Sequence, residues 1–260
     1  MGILNVTPDS FYDGGQYKNM DAILKQADHM LQAGATFIDV GAYSSRPKAE
    51  FVSESEELAR IVPVVSQLLK SFPEILLSID TFRSKVARAC LDEGAAMIND
   101  ISAGLLDTEM LPTIKAYQAP YVMMHMRGTP QTMQQQTDYQ DLLPEILYYF
   151  SERIAAARAL GIKDLIVDPG FGFAKTLAQN YELLGRLTLF HTFGLPLLVG
   201  ISRKSMIQKV LNTDAKEALN GTTALHAIAL NKGTQILRAH DVREAVQCVK
   251  LLQYMAQYND

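Results

Sequence analysis

Polar and charged residues recur at the ends of short apolar runs in this chain. Gly2-Ile3-Leu4 closes on Asn5, Thr36-Phe37-Ile38 on Asp39, and Ile75 to Ile79 on Asp80. Ala95 to Ile98 closes on Asn99-Asp100, Tyr121 to Met124 on His125, and Leu165-Ile166-Val167 on Asp168. Two further runs lead into cations: Leu197 to Ile201 into Ser202-Arg203-Lys204, and Gln235-Ile236-Leu237 into Arg238-Ala239-His240. An ionised carboxylate only accepts hydrogen bonds, so Asp80 and Asp168 suit a ligand edge with N–H donors side by side, such as an amino-pyrimidine. One such Asp is most simply a helix cap. Two, joined by Asn99, favour a convergent polar site. Arg238 and His240 stand two apart on a strand end and so point to one side. With Lys204 they suit phosphate oxygens.

Other candidates carry less. Asn5 reads either as a turn-starting side chain or as an oxygen donor to a hard cation or phosphate. Asp39, Asp100 and His125 read as structural as readily as functional. His29, His191 and His226 fall in helical stretches, and no His-x-x-x-His spacing suggests zinc. Magnesium, which binds through few protein ligands plus substrate phosphates, would leave little trace in a sequence. Gly-x-Ser-x-Gly, Walker A and Rossmann motifs are absent, so a covalent nucleophile is not indicated.

The elements that must position these groups follow from the spacing. The apolar runs are rich in Ile, Leu and Val, as in parallel strands buried on both faces. Helical periodicity lies between them: Val242, Ala245, Val246, Val249 and Leu252 form one stripe, with Asp241 as its expected N-cap. Ser53 and Glu56 predict a capping box, with Pro63 further on as a break or kink. A long helix is predicted from about Leu142 to Leu160. Eight strand–helix units in 260 residues predict one (β/α)₈ TIM barrel domain spanning 1–260, with an open doubly wound sheet as the alternative. The site then lies at the C-terminal strand ends. Two long loops, Val6 to Tyr17 and Ala42 to Ser53, follow the first two strands and read as lids.

Composition limits the partners. A net charge of −4 and no basic stripe argue against nucleic acid, and no apolar run approaches the roughly 18 residues of a membrane helix. Cys90 and Cys248 lie in helical stretches and read as buried thiols of a cytoplasmic protein. The first strand starts almost at Met1, so a few natural residues are expected before it.

The run Asn5-Val6-Thr7-Pro8-Asp9-Ser10-Phe11 has a known counterpart. With Asp80-Thr81, Asn99-Asp100, Asp168-Pro169-Gly170-Phe171-Gly172-Phe173, Ser202-Arg203-Lys204-Ser205 and Arg238-Ala239-His240, the chain closely resembles the dihydropteroate synthases. The match runs in order from the first strand to the last. It implies condensation of 7,8-dihydropterin-6-ylmethyl diphosphate with 4-aminobenzoate, giving 7,8-dihydropteroate and diphosphate. By matching motif, Asp80, Asn99, Asp168 and Lys204 would hold the pterin, with Met123 and Phe173 lining its pocket. Asn5, Arg238 and His240 would hold the diphosphate and its Mg²⁺, with Ser45 in the place of a loop-two Thr. Phe11, Ser45, Arg46, Pro47, Phe173, Lys204 and Ser205 would shape the aminobenzoate pocket. Asn5, Lys204, Arg238 and His240 are the residues expected to act in catalysis, and Asn5 is the expected metal ligand. The resemblance also implies a homodimer. Tyr43, Lys48 and Ala174 stand where the family usually has Glu, Gly and Gly. A pterin-binding methyltransferase barrel is the nearest rival, but it has no need of Arg238, His240 or the first lid.

Overall fold

Continuous apolar runs have no polar face to leave in water, so they pair side by side and are covered by helices. The structure, a computed structural model, describes residues 1–6, 16–43 and 51–258. Six strands pair in parallel in sequence order: β1 (Gly2–Asn5), β2 (Phe37–Gly41), β3 (Leu76–Asp80), β4 (Met97–Asp100), β5 (Tyr121–Met124) and β6 (Leu165–Asp168). β7 (Leu198–Val199) and β8 (Ile236–Leu237) form a parallel pair.

Two seams close the ring. Val167 bridges to Leu197, and its N–H donates to Pro196 O at 2.9 Å. Gly2 bridges to Ala239, with Ile3 N donating to Ala239 O at 3.1 Å and Ala239 N to Met1 O at 2.9 Å. β6 therefore continues to β7, and β8 returns to β1, so the sheet is a closed eight-stranded barrel rather than an open one. The helices around it are α1 (Gln16–Gln32), α2 (Glu54–Ser71), α3 (Ser84–Glu93), α4 (Met110–Tyr117), α5 (Leu142–Ala159), α6 (Leu177–Gly185), α7 (Ser205–Leu211), α8 (Leu219–Asn231) and α9 (Val242–Ala256). Among the described residues, no helix is long and apolar enough to cross a membrane.

Side chains alternate across each strand. One set faces the helices: Ile38, Ile79, Ile98, Tyr121, Val167 and Val199 belong to the main core. The other faces the barrel axis, where Met97, Val122, Ile166 and Leu198 pack with Met1, Phe37 and Ile236 near the N-terminal strand ends. Two residues further along the same strands stand Asn99, Met124, Asp168, Gly200, Asp39 and Arg238. An apolar floor thus lies directly beneath a mainly polar layer, the layered packing of this architecture.

Local signals resolve in different ways. Ser53 caps α2, accepting from Glu56 N at 3.3 Å, but the Glu56 carboxylate pairs with Arg60 and is drawn from the reciprocal half of a box. α2 runs on through Pro63, with Ile61, Val64, Val65 and Leu68 buried. That burial offsets the roughly 3 kcal/mol a mid-helix proline costs. Asp241 precedes α9 but makes no side-chain cap bond, because Arg203 takes both carboxylate oxygens, Nε to Oδ2 at 2.8 Å and Nη2 to Oδ1 at 2.6 Å. The full capping box belongs to α6, where Thr176 and Gln179 exchange bonds.

Candidate active site at the strand ends

The β6–α6 loop is built around two glycines in left-handed backbone. At Gly170, φ is +73° and an added Cβ would lie 2.1 Å from His125 O. At Gly172, φ is +81° and a Cβ would press the Lys204 stem at 3.2 Å. The loop can therefore lie flat on β5 while admitting the lysine from β7. Asp168 Oδ1 accepts from Gly170 N at 2.8 Å. Lys204 Nζ donates to Phe171 O and sits 4.7 Å from the Phe173 ring centroid, a cation–π distance. Ala174 also holds a positive φ, 49°, and is fully buried. A glycine would hold that left-handed conformation with less strain than this alanine does.

Beneath the loop lies Lys175, only 5% exposed. Its Nζ contacts His125 Nδ1 and Gly170 O at 3.0 Å and Phe173 O at 3.1 Å. Burial pulls its pKa down to about 7 despite the nearby Asp168 charge. Lys204 falls to about 8, again chiefly by burial and against the pull of Asp168. Burial raises Asp168, opposed first by Lys204.

Beside Lys204, over Gly200, a second network centres on Arg238. Nε donates to Asp39 Oδ2 at 2.6 Å and Nη2 to Asp80 Oδ2 at 2.7 Å. Burial works against the guanidinium charge, but Asp39 and Asp80 more than offset it and its pKa lies above the ordinary value. Burial raises the Asp80 pKa, with Arg238 opposing. Asn99, 4% exposed, pairs in register with Asp80 and donates Nδ2 to Asp39 Oδ2 at 3.1 Å. His240 is held through Ser202, whose Oγ accepts from His240 N and contacts Nδ1, both at 3.1 Å. Asn5 ends β1 beside Gly41 on the same rim.

The expected residues thus divide. Asn5, Asp80, Asn99, Asp168, Phe173, Lys204, Arg238 and His240 gather at the C-terminal rim. Ser205 is exposed, next to Lys204, and opens α7. Phe11, Ser45, Arg46, Pro47 and Lys48 lie outside the described residues. Met123 does not face the mouth. It is fully buried in the barrel–helix core, while Met124 packs with Ile101, Met126, Met133 and Phe173 and reaches within 3.4 Å of a Cβ placed at Gly170. Alternation puts neighbouring residues on opposite faces, so the pocket methionine is Met124.

Three strand-end or motif residues are tied up by the protein itself. Asp100 accepts from Ser102 N, Ser102 Oγ, Gly104 N and Tyr121 Oη. His125, 2% exposed, stacks edge-on against Tyr149, and its pKa is lowered by burial and by the charges of Lys175 and Arg127. Arg203 binds Asp241 and the carbonyls of Ala215 and Lys216. Sequence reasoning missed Lys175, Ser78 and Ser202. Ser78 was signalled by a hydroxyl inside an otherwise apolar run, and Lys175 by its place beside the glycine-rich loop.

The donor set also bears on magnesium. Among the described residues no three His, Cys, Asp or Glu side chains gather as a metal cage. One amide oxygen, Asn5, at a rim that also carries Arg238 and His240, fits an ion bound mainly through phosphate oxygens and water.

Known proteins resemble this chain in sequence and fold. A family model described as pterin binding enzyme matches residues 1–240. Dihydropteroate synthase from Escherichia coli K12 is 46% identical over 255 residues, covering 97% of this chain and 90% of that protein. The Yersinia pestis dihydropteroate synthase crystal structure with a sulfonamide drug superposes with a TM-score of 0.92 at 44% identity, covering 98% of this chain and 93% of that one. The Xanthomonas albilineans dihydropteroate synthase in complex with 7,8-dihydropteroate gives 0.87 at 35% identity, covering 98% and 92%.

Proposed function

The chain belongs to the pterin-binding enzymes and, among them, to the dihydropteroate synthases; from that premise we propose how its own residues carry out the condensation of 7,8-dihydropterin-6-ylmethyl diphosphate with 4-aminobenzoate. The observation that carries the reading is the juxtaposition, on one barrel rim, of a buried acceptor set with a clamped guanidinium. Asp168 accepts from the N–H edge of the pterin, and Asn99 and Lys204 meet its remaining polar atoms. Met124 and Phe173 bound the ring. Asp80 shares this half and steers Arg238. Arg238, His240 and Asn5 hold the diphosphate, and a bound Mg²⁺ would neutralise part of its charge.

The reaction needs no protein nucleophile. The methylene C–O bond breaks and its electron pair leaves with the diphosphate. The aniline nitrogen lone pair forms the new C–N bond, and the nitrogen then loses a proton. Arg238 and His240 stabilise the charge that gathers on the leaving oxygen. Asp80 and Asp168 favour the electron-poor ring. Phe173, Lys204 and Ser205 form the aminobenzoate side, and the resemblance assigns Phe11, Ser45, Arg46 and Pro47 to the same substrate. Diphosphate release is the test: it should require both 4-aminobenzoate and Mg²⁺. Release indifferent to 4-aminobenzoate would overturn the reading.

We also propose a cytoplasmic homodimer of barrels, each spanning 1–260. Two buried free thiols support the compartment. Exposed apolar side chains on three successive helices support the dimer: Val210 and Leu211 on α7, Ile228 on α8, and Leu251, Tyr254 and Met255 on α9.

A further inference from the structure

Asp39 has no exposed surface, yet three donors converge on it. Ser78 Oγ donates to Oδ1 at 2.6 Å. Asn99 Nδ2 at 3.1 Å and Arg238 Nε at 2.6 Å share Oδ2. An ionised carboxylate can only accept, so it dictates how each partner must turn. Asn99 has to offer its NH₂ to Asp39, which leaves Oδ1 as the amide end that meets a ligand. Arg238 has to lay its Nε on Asp39 while Nη2 reaches Asp80, which leaves Nη1 for an incoming anion. A carboxylate repels a diphosphate, so burying one beside this arginine works against direct anion binding. Its place is accounted for if it acts through its neighbours.

We propose that Asp39 is a positioning residue that locks Asn99 to Arg238 through one shared oxygen and so sets the register between the ring-binding and diphosphate-binding halves of the site. This rests on the roles given to Asn99 and Arg238 above. A substrate whose ring and diphosphate are joined by a single methylene tolerates little error in that register, because reacting groups displaced by about 1 Å lose about 10²-fold in rate. Asp39 touches neither half of the substrate. It keeps the two sets of groups that do at a fixed separation.

The test uses the full-length chain and two separate probes, 6-hydroxymethylpterin and inorganic diphosphate with Mg²⁺, titrated calorimetrically into wild type, Asp39→Asn, Arg238→Gln and the double variant. Asparagine keeps the shape of Asp39 and can turn its NH₂ to the Ser78 hydroxyl, which also accepts, so what it removes is the negative charge that Asn99 and Arg238 share. Asp39→Asn should weaken both probes about tenfold or more, with the KM for 4-aminobenzoate unchanged. Arg238→Gln should weaken diphosphate binding in wild type but add less than about threefold once Asp39 is replaced, because coupled residues are not additive. Independent, multiplying losses would overturn the proposal. So would a lower melting temperature with both affinities within about twofold of wild type, the signature of a carboxylate that only supports the fold. If Arg238→Gln alone spared diphosphate, the underlying reading of the site would fall and the proposal with it. Should Asp39→Asn not fold, Ser78→Ala removes one donor and keeps the carboxylate, and the same cycle with Arg238→Gln should show the same coupling at smaller amplitude; additivity there overturns the proposal equally.

Discussion

Replacing Lys175 with methionine separates the two ways its buried nitrogen can be satisfied. As an ammonium, Nζ has three protons for His125 Nδ1, Gly170 O and Phe173 O, and His125 carries its own proton on Nε2. As an amine, Nζ keeps two protons for the carbonyls and accepts from a protonated Nδ1. Both forms are fully paired, so burial decides, and it brings the pKa from 10.5 down to about 7. The unfolded chain keeps the higher value. Between the two it binds more protons than the folded protein, so stability rises with pH across that window. Methionine does not titrate, and the other groups largely cancel when the two proteins are compared. The stability of wild type minus that of Lys175→Met should therefore grow by about 2 kcal/mol between pH values of about 7 and about 9. The variant should already be weaker at the lower pH by about 2 kcal/mol, because two carbonyls and a ring nitrogen lose their partner. Urea unfolding followed by circular dichroism at both pH values measures the difference. A gap that stays constant with pH refutes the depressed lysine, and a shrinking gap reverses its sign.

Four other outcomes are expected. Gly170→Ala drives a Cβ to 2.1 Å from His125 O and should cost about 3 kcal/mol or more in urea unfolding, against about 1 kcal/mol for Gly161→Ala, where φ is also positive but nothing lies within 4 Å. Met123→Ala should cost about 3 kcal/mol of stability and spare pterin affinity, whereas Met124→Ala should weaken pterin binding about tenfold; the reverse result would mean that the strand faces are misassigned. The Lys204 ammonium, with its pKa lowered to about 8, is lost above that pH, so pterin affinity should fall as pH rises through it, and Lys204→Met should flatten the profile. Leu251→Asp with Tyr254→Asp should convert a dimer to a monomer in sedimentation velocity with turnover retained per folded chain; an unchanged sedimentation coefficient would count against that surface.

How much of this was legible in the sequence depended on contrast between neighbouring residues. Asp80, Asn99, Asp168, Arg238 and His240 each end an apolar run, and that break marked both the strand and its C-terminal end. Met123 and Met124 offered no such contrast. Tyr121 to Met124 is apolar on both faces, as a strand covered by helices must be, so nothing in the residue types told inside from outside. Competition was equally hidden. Asp241 has the form of a helix cap, but a bidentate arginine reaching it from 38 residues away outcompetes two backbone N–H groups. Asp39 and Asp100 look alike in the sequence, both acids at the ends of apolar runs. One faces the axis and gathers Asn99 and Arg238, while the other faces the helices and staples its own loop. Register alone separates them, and register is a property of the closed sheet.

The plug of Met97, Val122, Ile166 and Leu198 makes the barrel a blind well. Among the described residues the plug closes the barrel axis beneath the polar layer, so a ligand held there enters and leaves at the strand-end mouth. A molecule lodged at the mouth is then a stopper as well as an occupant, holding in place whatever lies deeper.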